Sequence, residues 1–424
     1  MTICALIIAF ILAFVGVPLA VCFGFASFFV IYIFGLVPLA VIPQMLWAGS
    51  ENYVLVAIPF FIFAGVLAES GGIARRLIDF CNSIVGWFKG GLGATNIVAS
   101  FFFGGISGSS LSDTASIGSI MIPEMEKNGY GREYSAAITA ISSTLAVIVP
   151  PSILMVVVGV TAEVSIGRLL IGGIIPGVIM TATMLIQNYY ISKKRNYGSY
   201  CKFSIKNVKD TFKKTFPAFG MPVIIILGIM TGVITPEESA VVVVYYIIFL
   251  GIYYKTMSLK KILNCIITTV KFTSAILFLV AASRLFTFIM TYEQIPQRIG
   301  FALMEVTKNP ILLLLLIDFI LLIAGMFMDA VVSILIFAPI FFPVITQVGI
   351  NPIHFGVLFV LNLSIGLVTP PFGVCLFNVC NVAHIKFEAL VKESLPLYLS
   401  LLAALLIVTF LPYTVTVLPN LFMK

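Results

Sequence analysis

The sequence predicts an all-α protein that crosses a membrane many times and consists of two related halves. Of its 424 residues, 61% are hydrophobic and only 10% are charged, and the mean hydropathy is +1.16. A soluble domain carries about 25% charged residues, so this chain has too few charges to cover a surface exposed to water. Many apolar runs have the roughly 20 residues that a helix needs to cross the bilayer core. A repeated pattern of prolines and glycines predicts the two halves.

The basic residues are unevenly distributed among the polar segments. They crowd the segment 192–216 and the surroundings of Arg75 and Lys260, whereas the polar segments 48–53 and 235–239 contain no Lys or Arg. This asymmetry is the positive-inside pattern, which assigns the basic loops to the cytoplasm. The net charge of +7 is therefore an orientation signal, and we expect no nucleic-acid partner.

In the first half, membrane helices are followed by a segment that enters the membrane without crossing it. The charged, amphipathic run 73–88 predicts an arm along the membrane interface. Residues 90–123 are apolar and rich in Gly and Ser, with cytoplasmic charge on both sides, so they predict a re-entrant hairpin. The next crossing, 133–161, is interrupted by Pro150 and Pro151 and predicts a broken helix.

The second half repeats this order of elements. A shift of 220 positions aligns Pro150-Pro151 with Pro370-Pro371 without a gap, and a second hairpin is predicted at 310–348. The same shift aligns Gly105 with Gly325, Pro123 with Pro343, Gly129 with Gly349, and Pro176 with Pro396. The flanking charges give the two hairpins opposite orientations. Inverted repeats with broken helices are typical of secondary transporters, and the alternative is a duplicated scaffold without a transport role.

The repeat predicts five segments with different roles. They are scaffold helices and an interfacial arm at 1–89, the first hairpin and broken helix at 90–191, a cytoplasmic basic linker at 192–216, scaffold helices and a second arm at 217–308, and the second hairpin and broken helix at 309–424.

The predicted tip of the first hairpin has the composition of a cation site. Backbone groups of a Gly- and Ser-rich turn would cost several kcal/mol each if they faced lipid, so this turn should face a polar interior. Asp113 adds an ionisable group at that depth. Hydroxyl groups also precede Pro150, where a proline frees backbone carbonyls; a simple kink is the alternative. The candidate ligands of a first sodium ion are Ser107, Gly108, Ser109, Ser110, Asp113, Ser143, Thr144, Val147 and Pro150.

The second half predicts a second, less hydroxyl-rich sodium site, so we expect two or more coupling ions. Its candidate ligands are Gly325, Met328, Asp329, Asn362, Ser364, Thr369, Pro370 and Gly373.

Three residues are candidates for binding the substrate: Ser110, Ser152 and Arg284. Arg284 lies in an apolar run without an acidic neighbour, so it either reaches the lipid headgroups or faces a cavity and attracts a carboxylate. The seven scattered cysteines predict small buried side chains. The sequence contains no phosphate-binding loop and no catalytic constellation, so we expect no enzyme and no ATP site in this chain.

These motifs resemble the signature of one family, the large membrane (M) subunit of tripartite ATP-independent periplasmic (TRAP) transporters, within the ion-transporter superfamily. The resemblance covers essentially the whole chain. It rests on residues 104–118, 121–125, 129–131, 149–152 and 366–373. Arg284 matches no motif of the family.

The resemblance implies an elevator mechanism, in which a transport domain of two hairpins and two broken helices slides against a scaffold. It implies sodium coupling, a periplasmic substrate-binding protein and an acidic substrate: a C4-dicarboxylate, sialic acid or another sugar acid, with the sialic acid type favoured. It also implies a small four-helix membrane subunit, expected to be separate because the sequence begins at the first helix. The expected location is the bacterial inner membrane. The alternatives are a standalone sodium/dicarboxylate symporter, a permease of an ATP-driven importer and a membrane enzyme.

Overall fold

The regular secondary structure of the protein is helical. The computed structural model describes residues 1–51, 53–201, 203–307 and 309–423, and these ranges contain no β-strand. Four residues of the predicted segments lie outside the described residues: Asn52, Lys202, Lys308 and Lys424.

Eight helical stretches of the described chain are long and apolar enough to cross a bilayer. They are Tyr53–Ser70, Ile166–Lys194, Ile205–Met230, Pro236–Tyr253, Leu259–Tyr292, Pro310–Phe327, Ala330–Gln347 and Phe387–Phe410. The prediction of an all-α protein that crosses the membrane many times is confirmed.

The first half runs from the amino terminus to the basic segment. Its helices are α1 (Thr2–Phe14), α2 (Leu19–Phe34), α3 (Val41–Ser50), α4 (Ala57–Ser70), α5 (Ile73–Val85), α6 (Gly91–Ser107), α7 (Ser110–Lys127), α8 (Arg132–Ser142), α9 (Ile153–Thr161), α10 (Ile166–Gly172) and α11 (Ile174–Lys194). Short 3₁₀ helices occupy Tyr53–Val56 and Ser143–Val147.

The second half begins with the basic end of a long helix. Its helices are α12 (Ile205–Met230), α13 (Pro236–Tyr253), α14 (Leu259–Tyr292), α15 (Ile295–Val306), α16 (Pro310–Phe327), α17 (Ala330–Gln347), α18 (Pro352–Gly366), α19 (Val374–Ala383), α20 (Phe387–Ser394), α21 (Tyr398–Phe410) and α22 (Tyr413–Phe422). A 3₁₀ helix occupies Leu395–Leu397.

Helix bounds in the two halves correspond at the same shift of 220 positions. Helix α7 maps onto α17 residue for residue, and α6 ends at the position equivalent to the end of α16. We call the pair α6 and α7 hairpin 1, and the pair α16 and α17 hairpin 2. The helices α8 and α18 are each followed by an irregular segment with a cis Pro-Pro bond; we call residues 143–152 break 1 and residues 367–373 break 2.

The two halves pack crosswise. Helix α19, which follows break 2, packs against α7 and α8 of the first half, and α9, which follows break 1, packs against α17 and α18 of the second half. A separate group, α1 to α4 with α13 and α14, packs mainly on itself; we call these the outer helices. Hairpin 1 meets the outer helices at α4, and hairpin 2 meets them at α14.

Two predicted loops are shorter in the structure than the sequence suggested. In the basic segment 192–216, α11 continues to Lys194 and α12 begins at Ile205, where the Ser204 side chain caps the helix by accepting the backbone N–H of Asn207. In the segment 48–53, α3 continues to Ser50 because it packs against α14. Both helical extensions are stabilised by tertiary packing or capping, which the charge pattern does not reveal.

Candidate ion and substrate site

A cavity of about 520 Å³ lies where the two hairpins meet the outer helices. Residues 107–112, which we call tip 1, and residues 329–331, which we call tip 2, line it from the two halves. Helices α4, α9, α14 and α19 and one residue of each break also line it, and α14 contributes Thr268, Phe272 and Ile276. The structure therefore brings together the two turns that the sequence singled out independently.

Glycines allow tip 1 to pack closely on its neighbours. Gly108 has a left-handed φ of +62°, which glycine adopts without steric cost, and a Cβ there would lie 2.7 Å from the carbonyl oxygen of Pro151. On the other side, a Cβ on Gly65 of α4 would lie 2.9 Å from the carbonyl oxygen of Ser107. Tip 1 is thus held between break 1 and an outer helix.

Asp113 lies in the first turn of α7, directly after Ser112, is fully buried and does not line the cavity. Its Oδ2 accepts a hydrogen bond of 2.8 Å from the Ser100 hydroxyl, which lies 3.0 Å from the hydroxyl of Ser142. The Ser142 hydroxyl donates to the side-chain oxygen of Asn96, whose amide donates to the Thr139 hydroxyl over 2.7 Å. A chain of polar side chains therefore joins the carboxylate to α8.

Four side-chain oxygens of hairpin 1 are buried without a hydrogen-bond partner among the described residues: Ser107 Oγ, Ser110 Oγ, Asp113 Oδ1 and Ser116 Oγ. A buried polar oxygen without a partner is costly, because it has lost its contact with water. Oxygens of hydroxyl, carboxylate and carbonyl groups are the ligands that sodium takes at broken helices. The residues present fit a dehydrated sodium ion.

Break 1 supplies further oxygens. The hydroxyls of Ser143 and Thr144 donate over 2.7 Å to the carbonyls of Ala140 and Ile141, so their oxygens remain free to accept a cation. Pro150 is buried, and Val147 lines the cavity. Five of the nine residues predicted for the first site line the cavity: Ser107, Gly108, Ser109, Ser110 and Val147. The other four, Asp113, Ser143, Thr144 and Pro150, do not.

Ser152 has a different position from the one expected of a substrate ligand. Its hydroxyl donates to the carbonyl of Val147 and accepts the N–H of Met155, so it caps α9. It is fully buried and does not line the cavity. The sequence could not distinguish these roles, since a serine after two prolines fits either one.

Tip 2 resembles tip 1 in shape and differs from it in charge. Asp329 lines the cavity and caps α17 by accepting the N–H of Val331 over 2.9 Å; Met328 is partly buried before it. At the shift of 220 positions, Asp329 corresponds to Ser109 and Ser333 corresponds to Asp113. Ser333 is fully buried, and its hydroxyl has no hydrogen-bond partner among the described residues. The sequence did not indicate Ser333, because a single serine in an apolar helix forms no recognisable pattern.

Break 2 packs directly on hairpin 2. A Cβ on Gly366 would lie 2.6 Å from the carbonyl oxygen of Gly325, so the two helices touch through their backbones. Thr369 and Ser364 donate their hydroxyls to carbonyls one turn earlier, each over 2.6 Å. Gly373 is buried at the start of α19 and Pro370 is partly buried.

Asn362 belongs to a separate polar cluster. Its amide donates to the backbone carbonyl and Oδ1 of Asp318 on α16, over 2.9 and 3.1 Å. Thr409 of α21 donates to Oδ2 of the same carboxylate over 2.9 Å. Asn362 lies within α18, before break 2, and its contacts are with α16, so the structure does not bring it to tip 2 or to the cavity.

Arg284 is also outside the site. Its side chain is exposed on α14, and its Cγ would lie 2.8 Å from a Cβ built on Gly49 of α3. It forms no ion pair with an acidic side chain of the described chain, and it does not line the cavity. The structure therefore does not support its predicted contact with the substrate.

Replacing Arg284 with glutamine should consequently change transport little. We expect the rate and apparent KM of sodium-dependent uptake to stay within about twofold of wild type, as for other exposed substitutions. Uptake into proteoliposomes with equal amounts of protein measures this. A loss of more than about tenfold in the uptake rate would show that Arg284 acts in the transport site.

The sequence did not indicate three residues that lie at the cavity or beside tip 1. Glu69 of α4 accepts a hydrogen bond of 3.3 Å from Ser112, and Asn378 of α19 donates to Thr114 over 2.6 Å. Cys375, also on α19, is fully buried and faces Ser110 and Ser143, with Asp113 and Asp329 within electrostatic range of its thiol. Sequence alone assigned Cys375 to the apolar core, because only crosswise packing brings α19 to hairpin 1.

Comparison with known proteins identifies the family of the chain. The family model described as "Tripartite ATP-independent periplasmic transporter, DctM component" matches residues 6–414. The C4-dicarboxylate TRAP transporter large permease protein DctM of Pseudomonas aeruginosa is 38% identical over 376 residues, 88% of each chain. The sialic acid TRAP transporter large permease protein SiaM of Vibrio cholerae is 38% identical over 381 residues, 90% of this chain and 89% of that protein.

Two further proteins extend the comparison. The isethionate TRAP transporter permease protein DctMQ of Oleidesulfovibrio alaskensis is 38% identical over 94% of this chain, which spans only 63% of that protein's length. The crystal structure of the YdaH transporter of Alcanivorax borkumensis shares the fold, with a TM-score of 0.61 and 15% identity over 87% of each chain. The predicted family is confirmed: the chain belongs to the DctM family, the large permease components of TRAP transporters.

Proposed function

We propose that this chain is the permease of a sodium-coupled secondary transporter that imports a small acidic solute across the bacterial inner membrane. The observation that carries the proposal is the single cavity at which both hairpin tips converge. A small four-helix membrane subunit and a periplasmic binding protein complete the transporter, and the chain catalyses no reaction of its own.

The charges of the cavity support sodium coupling. Its lining in the described chain contains two carboxylates, Glu69 and Asp329, and no Lys or Arg. An anionic solute entering alone would be repelled by both carboxylates. Helices α7 and α17 begin at the cavity, and helix amino termini favour anions. Sodium ions beside tip 1 and tip 2 would supply the remaining positive charge, which couples the two fluxes.

The substrate class follows from the relatives and the cavity together. The relatives are named for C4-dicarboxylate, sialic acid and isethionate, all of which are acidic. A cavity of about 520 Å³ has room for a sugar acid or a C4-dicarboxylate. Of these two classes we favour a sialic acid or another sugar acid, with C4-dicarboxylates next.

Uptake measurements test this function. The chain is reconstituted into proteoliposomes with the small subunit and the binding protein, and labelled sialic acid, succinate and isethionate are supplied in turn. We expect accumulation of one acid with an inward sodium gradient and none when potassium replaces sodium. Accumulation that is unchanged in potassium would refute sodium coupling. Full activity of the chain alone would favour the standalone symporter.

The packing also supports an elevator, in which the hairpins and broken helices move as one transport domain against the outer helices as scaffold. Helix α6 of hairpin 1 contacts α12, a helix of the predicted scaffold segment 217–308, at Gly105, where a Cβ would lie 3.6 Å from the Cβ of Pro222. A disulfide between Gly105→Cys and Pro222→Cys is therefore sterically feasible. We expect its oxidation to stop uptake and reduction to restore that of the same sample, because the bond would fix hairpin 1 to the scaffold.

A second cysteine pair is the matched control. Gly24→Cys and Ala282→Cys join α2 to α14, two outer helices, and a Cβ on Gly24 would lie 3.4 Å from that of Ala282. Oxidation of this pair should leave uptake unchanged. Undiminished uptake by the oxidised Gly105→Cys/Pro222→Cys variant would rule out movement of hairpin 1 against α12.

A further inference from the structure

A second cavity, of about 680 Å³, lies far from the tips, between the arm helix α5, the basic start of α12 and the end of α13. Three basic side chains line it, Arg76, Lys213 and Lys214, together with one acid, Asp79. The proposed transport mechanism uses none of these residues. We define this cavity as the basic cleft.

The walls of the basic cleft are held together by specific contacts. The Thr215 hydroxyl donates to the carbonyl of Arg76 over 2.9 Å, and the Tyr254 hydroxyl donates to the carbonyl of Lys214 over 3.2 Å. The guanidinium of Arg76 lies 4.0 Å from the centre of the Tyr254 ring. Helices α5, α12 and α13 therefore form one preorganised wall.

The positive charges of the basic cleft are not neutralised by the protein. Among the described residues, no salt bridge involves Arg76, Lys213 or Lys214. Asp79 is the acid in the cleft, and burial raises the pKa of its carboxyl above the usual range, against the opposing effect of Arg75, Lys214 and Arg76. Three basic groups against one acid leave an excess of positive charge around an open volume.

The surroundings place the basic cleft at the level of lipid headgroups. Exposed aromatic side chains flank it, including Trp87, Phe216 and Tyr253, which are 41%, 60% and 67% exposed. Exposed tryptophan and tyrosine side chains mark the membrane–water interface, and basic loops mark its cytoplasmic side. The amphipathic arm α5 lies against α12 at the same level.

We propose that the basic cleft binds the phosphate headgroup of an anionic phospholipid from the cytoplasmic leaflet. Arg76, Lys213 and Lys214 contact the phosphate, while the lipid chains lie along the apolar surface of α12 and α13. Basic pockets between membrane helices on the cytoplasmic side recognise anionic headgroups in this way. Because the cleft is formed by scaffold elements, the lipid anchors the scaffold and the arm against the moving transport domain.

Binding of phosphatidylglycerol with a fluorescent acyl chain to the purified full chain in neutral detergent tests this proposal. We expect Lys213→Gln/Lys214→Gln to weaken binding about tenfold, because each basic group near a headgroup contributes to affinity. The control is Lys206→Gln/Lys209→Gln, which removes the same charge from the same helix outside the cleft and should change binding less than about twofold. All four lysines are exposed, so both variants should fold like wild type.

Two further comparisons identify the ligand. Phosphatidylcholine with the same acyl chains should bind weakly to the wild-type chain and to both double variants. Millimolar inorganic phosphate should not displace phosphatidylglycerol. An equal loss of phosphatidylglycerol binding in both double variants would overturn the proposal, since general surface charge would then explain the binding. Equal affinity for the two lipids, or displacement by inorganic phosphate, would also overturn it.

Discussion

Replacing Asp113 with asparagine should weaken the apparent affinity for sodium in uptake roughly hundredfold, corresponding to about 3 kcal/mol. Asparagine keeps the size of the side chain and can still accept the hydrogen bond from Ser100, so the variant removes mainly the charge. At the proposed sodium site, which is fully buried, that charge would be the counterion for a cation held by the oxygens of hairpin 1 that lack a partner among the described residues. The sodium dependence of initial uptake rates measures the effect.

Asp318→Asn is the matched control. Asp318 is also buried within a membrane helix, but its two carboxylate oxygens are occupied by Asn362 and Thr409, away from the tips. We expect its apparent sodium affinity to stay within about twofold of wild type. If Asp113→Asn showed unaltered sodium dependence, or if both variants lost it equally, the first sodium site would not include Asp113.

Two adjacent glycines of hairpin 1 should respond in opposite ways to alanine. A Cβ on Gly104 would lie 2.6 Å from the Cα of Ala146, within a backbone that cannot move aside, whereas a Cβ on Gly105 would meet its nearest atom at 3.5 Å. We expect Gly104→Ala to lower the free energy of unfolding by about 2–3 kcal/mol, as overpacking does in other cores. Gly105→Ala should change it by at most about 1 kcal/mol and in the stabilising direction, because alanine favours a helix.

Unfolding of the two variants in mixed micelles with a denaturing detergent measures these differences. Gly104→Ala should also reduce sodium-dependent uptake, since it pushes α6 away from the 3₁₀ turn that presents Ser143 and Thr144. Similar unfolding free energies for both variants would mean that hairpin 1 and break 1 are not in the close contact described above.

Much of the local structure could be predicted from the sequence, because the physics involved is local. Low charge and long apolar runs determine membrane helices, and adjacent prolines interrupt them at 150 and 370. The Gly- and Ser-rich turn at 107–112 indicated a tip with unpaired oxygens, and Ser107 and Ser110 have such oxygens in the structure.

Tertiary structure alone decided which of these segments meet. Asn362 and Arg284 looked like site residues, but one pairs with Asp318 and the other faces outward beside Gly49. Conversely, Cys375 reaches tip 1 only because α19 packs across onto α7 and α8. Composition and helix breakers act within a few residues, so the sequence by itself determined the helices, the breaks and the tip chemistry. The side of a helix that packs against a partner hundreds of residues away depends on the fit of whole surfaces, which only the folded chain reveals.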